Sequence, residues 1–104
     1  MLQGKKLGLL VSTLPGQPGF EHAIRLAEAA IARGVEVYLY CIDKAVTGVS
    51  DPRLQRLKAS GMRLYACAYS AHRYNVPVND DALFSGLTIV SDFMTGTDRF
   101  LSFN

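Results

Sequence analysis

The sequence predicts an α/β fold: a three-layer sandwich in which a parallel sheet of about four to five strands is flanked by helices, doubly wound in the flavodoxin-like manner. Three observations predict it. Short runs rich in branched and aromatic residues recur at residues 7–13, 35–42 and 62–66. Between them, apolar residues repeat at helical spacing, as in Phe20, Ala23, Ile24, Ala27 and Ile31. The first run is apolar almost without a break, which suits a strand covered on both faces rather than one facing water.

Residues 7–13 form the first strand, ending in the small polar pair Ser12 and Thr13. Residues 14–19, with two prolines and two glycines, form a loop. A helix over residues 20–33 turns Glu21, Arg25 and Glu28 away from its apolar face. Glu21 and Arg25 stand four apart in the favoured ion-pair orientation. Gly34 is the expected stop. Residues 35–42 give the second strand, Asp43 ends it, and residues 44–50 make a loop. Ser50 or Asp51 caps a short helix with Pro52 at its first position. Leu54 and Leu57 point inward, and Arg53, Arg56 and Lys58 point outward. Those three cations suit a solvated helix face or a docking face for an acidic partner.

Gly61 closes that helix, and residues 62–66 form the third strand. Residues 68–74 read as a short helix with Asn75 as its stop. Residues 76–78 are extended, since Pro77 bars Val76 from helical geometry. Asn79, Asp80 and Asp81 resemble an N-cap with acid in the first turn. Leu83, Leu87, Val90 and Met94 recur at helical spacing, so a helix is expected over residues 80–95, with Gly96 ending it. Residues 99–103 form a last strand.

Length and composition narrow the function. At 104 residues the chain is expected to be one domain, residues 1–104. A net charge of +2 argues against nucleic acid or an anionic membrane as a partner. No apolar run approaches the ~20 residues that span a bilayer, and the short run after Lys6 is not a secretion signal, so a cytoplasmic location is expected. Cys41 and Cys67 form no CxxC motif. Two cysteines and two distant histidines, His22 and His72, supply no metal site. No cofactor is expected.

Cys67 carries the one local arrangement that implies chemistry. It stands between a strand end and a helix start, where unpaired backbone N–H groups favour thiolate over thiol, and the thiolate is the nucleophile. The bland alternative is a buried thiol packing as a small hydrophobe. In an open parallel sheet, ligands bind beyond the carboxyl ends of the strands. The sequence places Ser12 and Thr13, Asp43, and Cys67 with Ser70 there, so Cys67 is the catalytic candidate and the other four are binding candidates.

In the usual doubly wound order the first strand lies between the second and third. Cys41 and Cys67 would then be two strand spacings apart, about 9–10 Å, too far for a disulfide. Cys41 reads as structural. His72 follows Cys67 by five residues and does not stack on it along a helix. His22 has at most an anion contact. The pattern lacks the clustered acids of a phosphate-accepting receiver. Two prolines in the first loop and too few hydroxyls argue against a flavin phosphate site.

With these residues in place the chain resembles the DsrE/DsrF/TusD-like family of sulfur-relay proteins. The likeness rests on the apolar first strand leading to a loop and amphipathic helix, the strand ending Tyr40-Cys41-Ile42-Asp43, and the segment from Cys67 to Val76. It is closest at the end, where Gly86-Leu87 lead to Thr97-Asp98-Arg99-Phe100-Leu101-Ser102-Phe103. Lys44 and Asn75 stand where relatives often have glycine.

The resemblance implies a cytoplasmic sulfur carrier or sulfurtransferase, with Cys67 accepting sulfane sulfur as a persulfide and Ser70 or a backbone N–H bonding the terminal sulfur. It implies sulfur-donor and sulfur-acceptor proteins as partners. It also implies assembly as a homo-trimer or hexamer, or as a hetero-oligomer with paralogous subunits. Family members without the cysteine suggest the alternative, a non-catalytic assembly subunit or small-ligand-binding module. Redox sensing through a Cys67 sulfenate is a third reading.

Overall fold

The computed structural model describes residues 2–104. Five parallel strands, β1 (Lys6–Val11), β2 (Glu36–Cys41), β3 (Arg63–Cys67), β4 (Leu83–Ser85) and β5 (Arg99–Phe103), form one sheet in the order β4-β3-β2-β1-β5. Four α-helices connect them: α1 (Pro18–Ala32), α2 (Pro52–Ala59), α3 (Ala68–Arg73) and α4 (Thr88–Gly96). Residues Asp43–Gly48, expected as loop, form a 3-10 helix. No helix among the described residues is long and apolar enough to cross a membrane.

The α/β sandwich is as expected, but the strand order is not the one with β1 between β2 and β3. Here β2 is the central neighbour of both, and β5 takes the other flank of β1. The reason lies in α1 and α2. Phe20, Ala23 and Ile24 of α1 and Leu54 of α2 converge on Val11 and Leu39, so both helices cover the same face. Right-handed crossovers over one face step in one direction, which carries the chain from β1 to β2 to β3. Arg53 of α2 joins the two helices by bonding Glu21 of α1 (Nη2–Oε2 2.8 Å) and its own N-cap Asp51 (Nη2–Oδ2 3.0 Å). Glu21 thus pairs with Arg53, not with Arg25, and Arg53 is a tie between helices rather than part of a free cationic face.

Pro52 opens α2, and the Asp51 carboxylate accepts from the Arg53 N–H at 2.8 Å. Gly34 follows α1 with φ 80°, the left-handed conformation that glycine adopts at least cost. Asn75, with φ 56°, does the same after α3, as asparagine can.

The expected helix over residues 80–95 is replaced by β4 and a shorter α4. The Asn79 side chain accepts from the Asp81 N–H at 2.9 Å, closing a local turn instead of capping a helix. Leu83 then pairs with Tyr65 and Phe84 with Ala66. The apolar spacing misled here: Leu83, Leu87 and Met94 are exposed, and the residue α4 buries is Phe93. Gly96 is the last helical residue rather than a left-handed stop. Phe93 lies on the second face of the sheet against three rings, with centroids 5.7 Å from Tyr38, 6.3 Å from Tyr40 and 4.9 Å from Tyr65. These tyrosines therefore pack the domain's own interior.

Candidate functional site

Cys67 is both the last residue of β3 and the N-cap of α3. Its backbone is extended (φ −71°, ψ 119°), so Sγ turns back over the first turn and accepts the Ser70 N–H at 3.4 Å. Serine or aspartate commonly does this at an N-cap; here a thiol does. The Ser70 hydroxyl, the Tyr69 N–H and the Tyr40 hydroxyl are near neighbours of the sulfur that favour its charged form. Burial of Cys67 works against the thiolate, but these polar neighbours outweigh it and hold the thiol below its ordinary value. α3 has only six residues, so direct hydrogen bonds carry the effect more than a summed helix dipole.

Ser70 is oriented from β2. Its Oγ accepts the Asp43 N–H at 2.9 Å, which leaves the hydroxyl proton free to be donated. Asp43 takes φ 55°, uncommon for a residue with a side chain. The Tyr74 hydroxyl donates to Asp43 Oδ1 at 2.8 Å and holds that conformation from α3. The hydrogen bond to the Asp43 carboxylate keeps the Tyr74 phenol protonated beyond its usual range.

Tyr40 reaches the site from β2, beneath Phe93. Its hydroxyl lies 3.2 Å from the Ser85 carbonyl and 3.3 Å from the Gly86 carbonyl, and within reach of Cys67. Burial first, then the charge on Cys67, pushes its acidity down, so Tyr40 remains a donor. Ser85 pairs with Cys67 in register across β3 and β4.

The structure thus brings Cys67, Ser70 and Asp43 together. Ser12 and Thr13 are apart from them, at the end of β1 with β2 between. Ser12 Oγ bonds the Phe103 carbonyl (3.4 Å) and Asn104 Oδ1 (3.0 Å), so it ties β1 to β5. Sequence reasoning missed Tyr40 and Ser85 as site residues. Residue alternation puts Tyr40 on the face opposite Cys41, but only the true strand order sets it beside Cys67. Ser85 was concealed by the helical reading of its segment.

Cys41 and Cys67 lie on adjacent strands, not two spacings apart. Cys41 pairs with Ala66, one residue before Cys67, so the two thiols point to opposite faces of the sheet. Both are free, and complete burial pushes the Cys41 thiol up to about 12. His72 is exposed, and His22 packs its ring on Phe103 at 5.4 Å. Among the described residues no three histidine, cysteine or carboxylate side chains converge as a metal site. A cleft of about 550 Å³ opens at the other end of the sheet, between Leu7, Leu26, Val35 and Arg99, away from Cys67.

A parallel sheet with a hydrogen-bonded thiol at a strand end defines the class, an α/β domain with a cysteine N-cap site. The chain belongs to the DsrE/DsrF-like family, whose model it matches over residues 5–103. No curated protein matches it significantly. Among solved structures it is similar to the ychN protein from E. coli, with TM-score 0.82 and 17% identity over 95% of this chain and 99% of that one. It is also similar to the conserved protein BT1422 from Bacteroides thetaiotaomicron, with TM-score 0.77 and 18% identity over 98% and 97% of the two chains. These likenesses show the shared fold.

Proposed function

We propose that the protein is a small sulfur carrier that accepts sulfane sulfur on Cys67 and yields it to a partner protein. The observation that carries this reading is the polar setting of Cys67 Sγ at the N-cap of α3, where it accepts the Ser70 N–H at 3.4 Å and its neighbours lower the thiol's pKa despite burial. Cys41, more deeply enclosed and without such neighbours, shows the opposite shift. The thiolate attacks the outer sulfur of a donor persulfide. The donor S–S bond breaks, the donor thiolate leaves, and Cys67–S–SH forms. An acceptor thiolate then attacks the outer sulfur and Cys67 leaves as thiolate, with no net oxidation in either step.

The test is intact-protein mass spectrometry after incubation with sodium polysulfide, with Cys67→Ser as control. A one-sulfur adduct that depends on Cys67 and passes to an added thiol supports the reading. Its absence on a folded, alkylatable Cys67 overturns it. One observation favours a second reading, an assembly subunit with an inert cysteine: Cys67 is only 2% exposed. Failure of Cys67 to alkylate in the folded protein would select that reading.

Partners belong to the same proposal. Donor and acceptor are proteins of a reducing cytoplasm, and the chain works as a homo-oligomer or beside paralogous subunits. Leu83, Leu87 and Met94, which are 60%, 54% and 61% exposed around β4 and α4, supply unpartnered apolar surface for this. Sedimentation at micromolar concentration tests it, and a strict monomer would remove the homo-oligomer.

A further inference from the structure

Ser85 has a hydroxyl with no task in the resting protein. Its Oγ is buried and without a hydrogen-bond partner, although its carbonyl is bonded by Tyr40 at 3.2 Å. Buried hydroxyls are nearly always paired, because an unpaired one forfeits its hydration for nothing. Its place in the sheet gives the idle group a meaning. Ser85 and Cys67 are register partners on parallel neighbours, so their side chains stand side by side on one face. Neighbouring strands are about 4.8 Å apart. A sulfur atom bonded to Sγ at about 2.05 Å and turned toward β4 lies on the serine's side of Cys67.

We propose that the Ser85 hydroxyl is the donor that receives the outer sulfur of the Cys67 persulfide. This rests on the sulfur-carrier reading and divides its labour. The Ser70 N–H serves the inner sulfur, with the Ser70 hydroxyl and the Tyr69 N–H close by, and that sulfur bears charge before loading and after release. Ser85 serves the outer sulfur, which bears charge only while cargo is held. In loading, the Cys67 thiolate takes the outer sulfur of a donor R–S–SH and R–S⁻ departs to be protonated by water. The perthiol then loses its proton to water, and the Ser85 O–H donates to the resulting outer sulfur anion. In unloading, the outer sulfur regains a proton from water, the acceptor thiolate bonds it as the S–S bond to Cys67 breaks, Cys67 leaves as thiolate toward the Ser70 N–H, and Ser85 returns to its unpaired state. Ser85 stabilises the loaded state alone, so it lengthens the time sulfur is carried without changing the resting thiol.

The experiment compares wild type, Ser85→Ala and Ser85→Thr. Each is loaded with sodium polysulfide, freed of excess reagent, and followed by intact mass. Iodoacetamide alkylation of the unloaded thiol and the melting temperature are measured in parallel. Loss of one hydrogen bond to the outer sulfur predicts an adduct lifetime about three- to tenfold shorter in Ser85→Ala, restored by Ser85→Thr. Unloaded alkylation is expected to be unchanged, and the melting temperature no lower, since the hydroxyl has no partner to lose. Equal lifetimes in wild type and Ser85→Ala would overturn the assignment and leave the carrier reading standing. A shorter lifetime with a lower melting temperature would mark Ser85 as structural and also overturn it. No adduct on wild-type Cys67 would sink the carrier reading itself.

Discussion

Removing the Ser70 hydroxyl tests how Cys67 is activated. In Ser70→Ala the sulfur loses the neighbouring hydroxyl, the strongest of the groups that favour its charged form, and keeps the Ser70 N–H at 3.4 Å. Ser70 is 5% exposed and Cys67 2%, so water does little to screen the hydroxyl or to take its place. A hydrogen bond to a charged group contributes about 1.5–3 kcal/mol. At pH values where the thiol form dominates, its loss lowers the thiolate fraction about 10- to 100-fold. The remaining thiolate is more basic and hence intrinsically more nucleophilic, which recovers roughly the square root of that loss. The net expectation is an iodoacetamide rate about 3- to 10-fold slower at neutral pH, with the pH profile displaced upward. The Asp43 N–H also loses its acceptor, but Asp43 is exposed and water can replace it. Ser70→Thr, which retains a hydroxyl, controls for misfolding. A Ser70→Ala protein with native circular dichroism, an alkylation rate within about twofold of wild type and an unmoved pH profile would refute the hydroxyl's role.

Phe93→Ala removes the ring that covers Tyr38, Tyr40 and Tyr65; urea melts should show a loss of about 3–5 kcal/mol, and a loss below about 1 kcal/mol would mean that this face is covered otherwise. The two cysteines should bend stability against pH in opposite senses. The lowered thiol of Cys67 adds stability that is complete above the ordinary value of 9.0 and is lost as pH falls through its folded value, a slope that Cys67→Ser removes. The raised thiol of Cys41 contributes below 9.0 and loses its contribution as pH climbs toward about 12, so Cys41→Ala should flatten the alkaline limb; an unchanged limb counts against burial as the cause. Arg53 holds the Asp51 and Glu21 carboxyls below their ordinary values of 3.8 and 4.5, chiefly by direct hydrogen bonds. Their contribution is present above those values and lost as pH falls below them, so Arg53→Met should unfold at a higher pH on acid titration; identical acid midpoints would deny the tie any role.

The fold was legible where local chemistry leaves little choice. The apolar first strand, the amphipathic α1, Asp51-Pro52 before α2, and the stops at Gly34, Gly61 and Asn75 are all decided within a few residues. The segment after Asn79 was not legible, because the same apolar residues satisfied a helix spacing and a strand propensity. Tertiary pairing decided it: three residues gained an edge position beside β3, and Gly86 separated them from α4. Strand order was illegible for a related reason. No residue states which way a crossover steps; the direction follows from α1 and α2 sharing one face through Leu54 and the Glu21–Arg53 pair.

The same division explains the site. Cys67 and Ser70 were legible because an N-cap and its third helical residue are fixed by sequence spacing. Asp43 was legible as a strand end, although its left-handed backbone and its bond to Tyr74 were not. Tyr40 and Ser85 arrive from the two strands flanking β3, and their roles exist only once the order β4-β3-β2 is known. The expectation of β1 beside β3 would have given Ser12 and Thr13 that place. The correction moves the polar surroundings of the sulfur from β1 to β2 and β4. With it, the chemistry passes from a loop ahead of α1 to hydroxyls projecting from rigid, paired strands. Groups held this way need little reorganisation as charge appears on the sulfur. That is what distinguishes this thiol from Cys41, one strand away and more deeply enclosed, with no donor turned toward it.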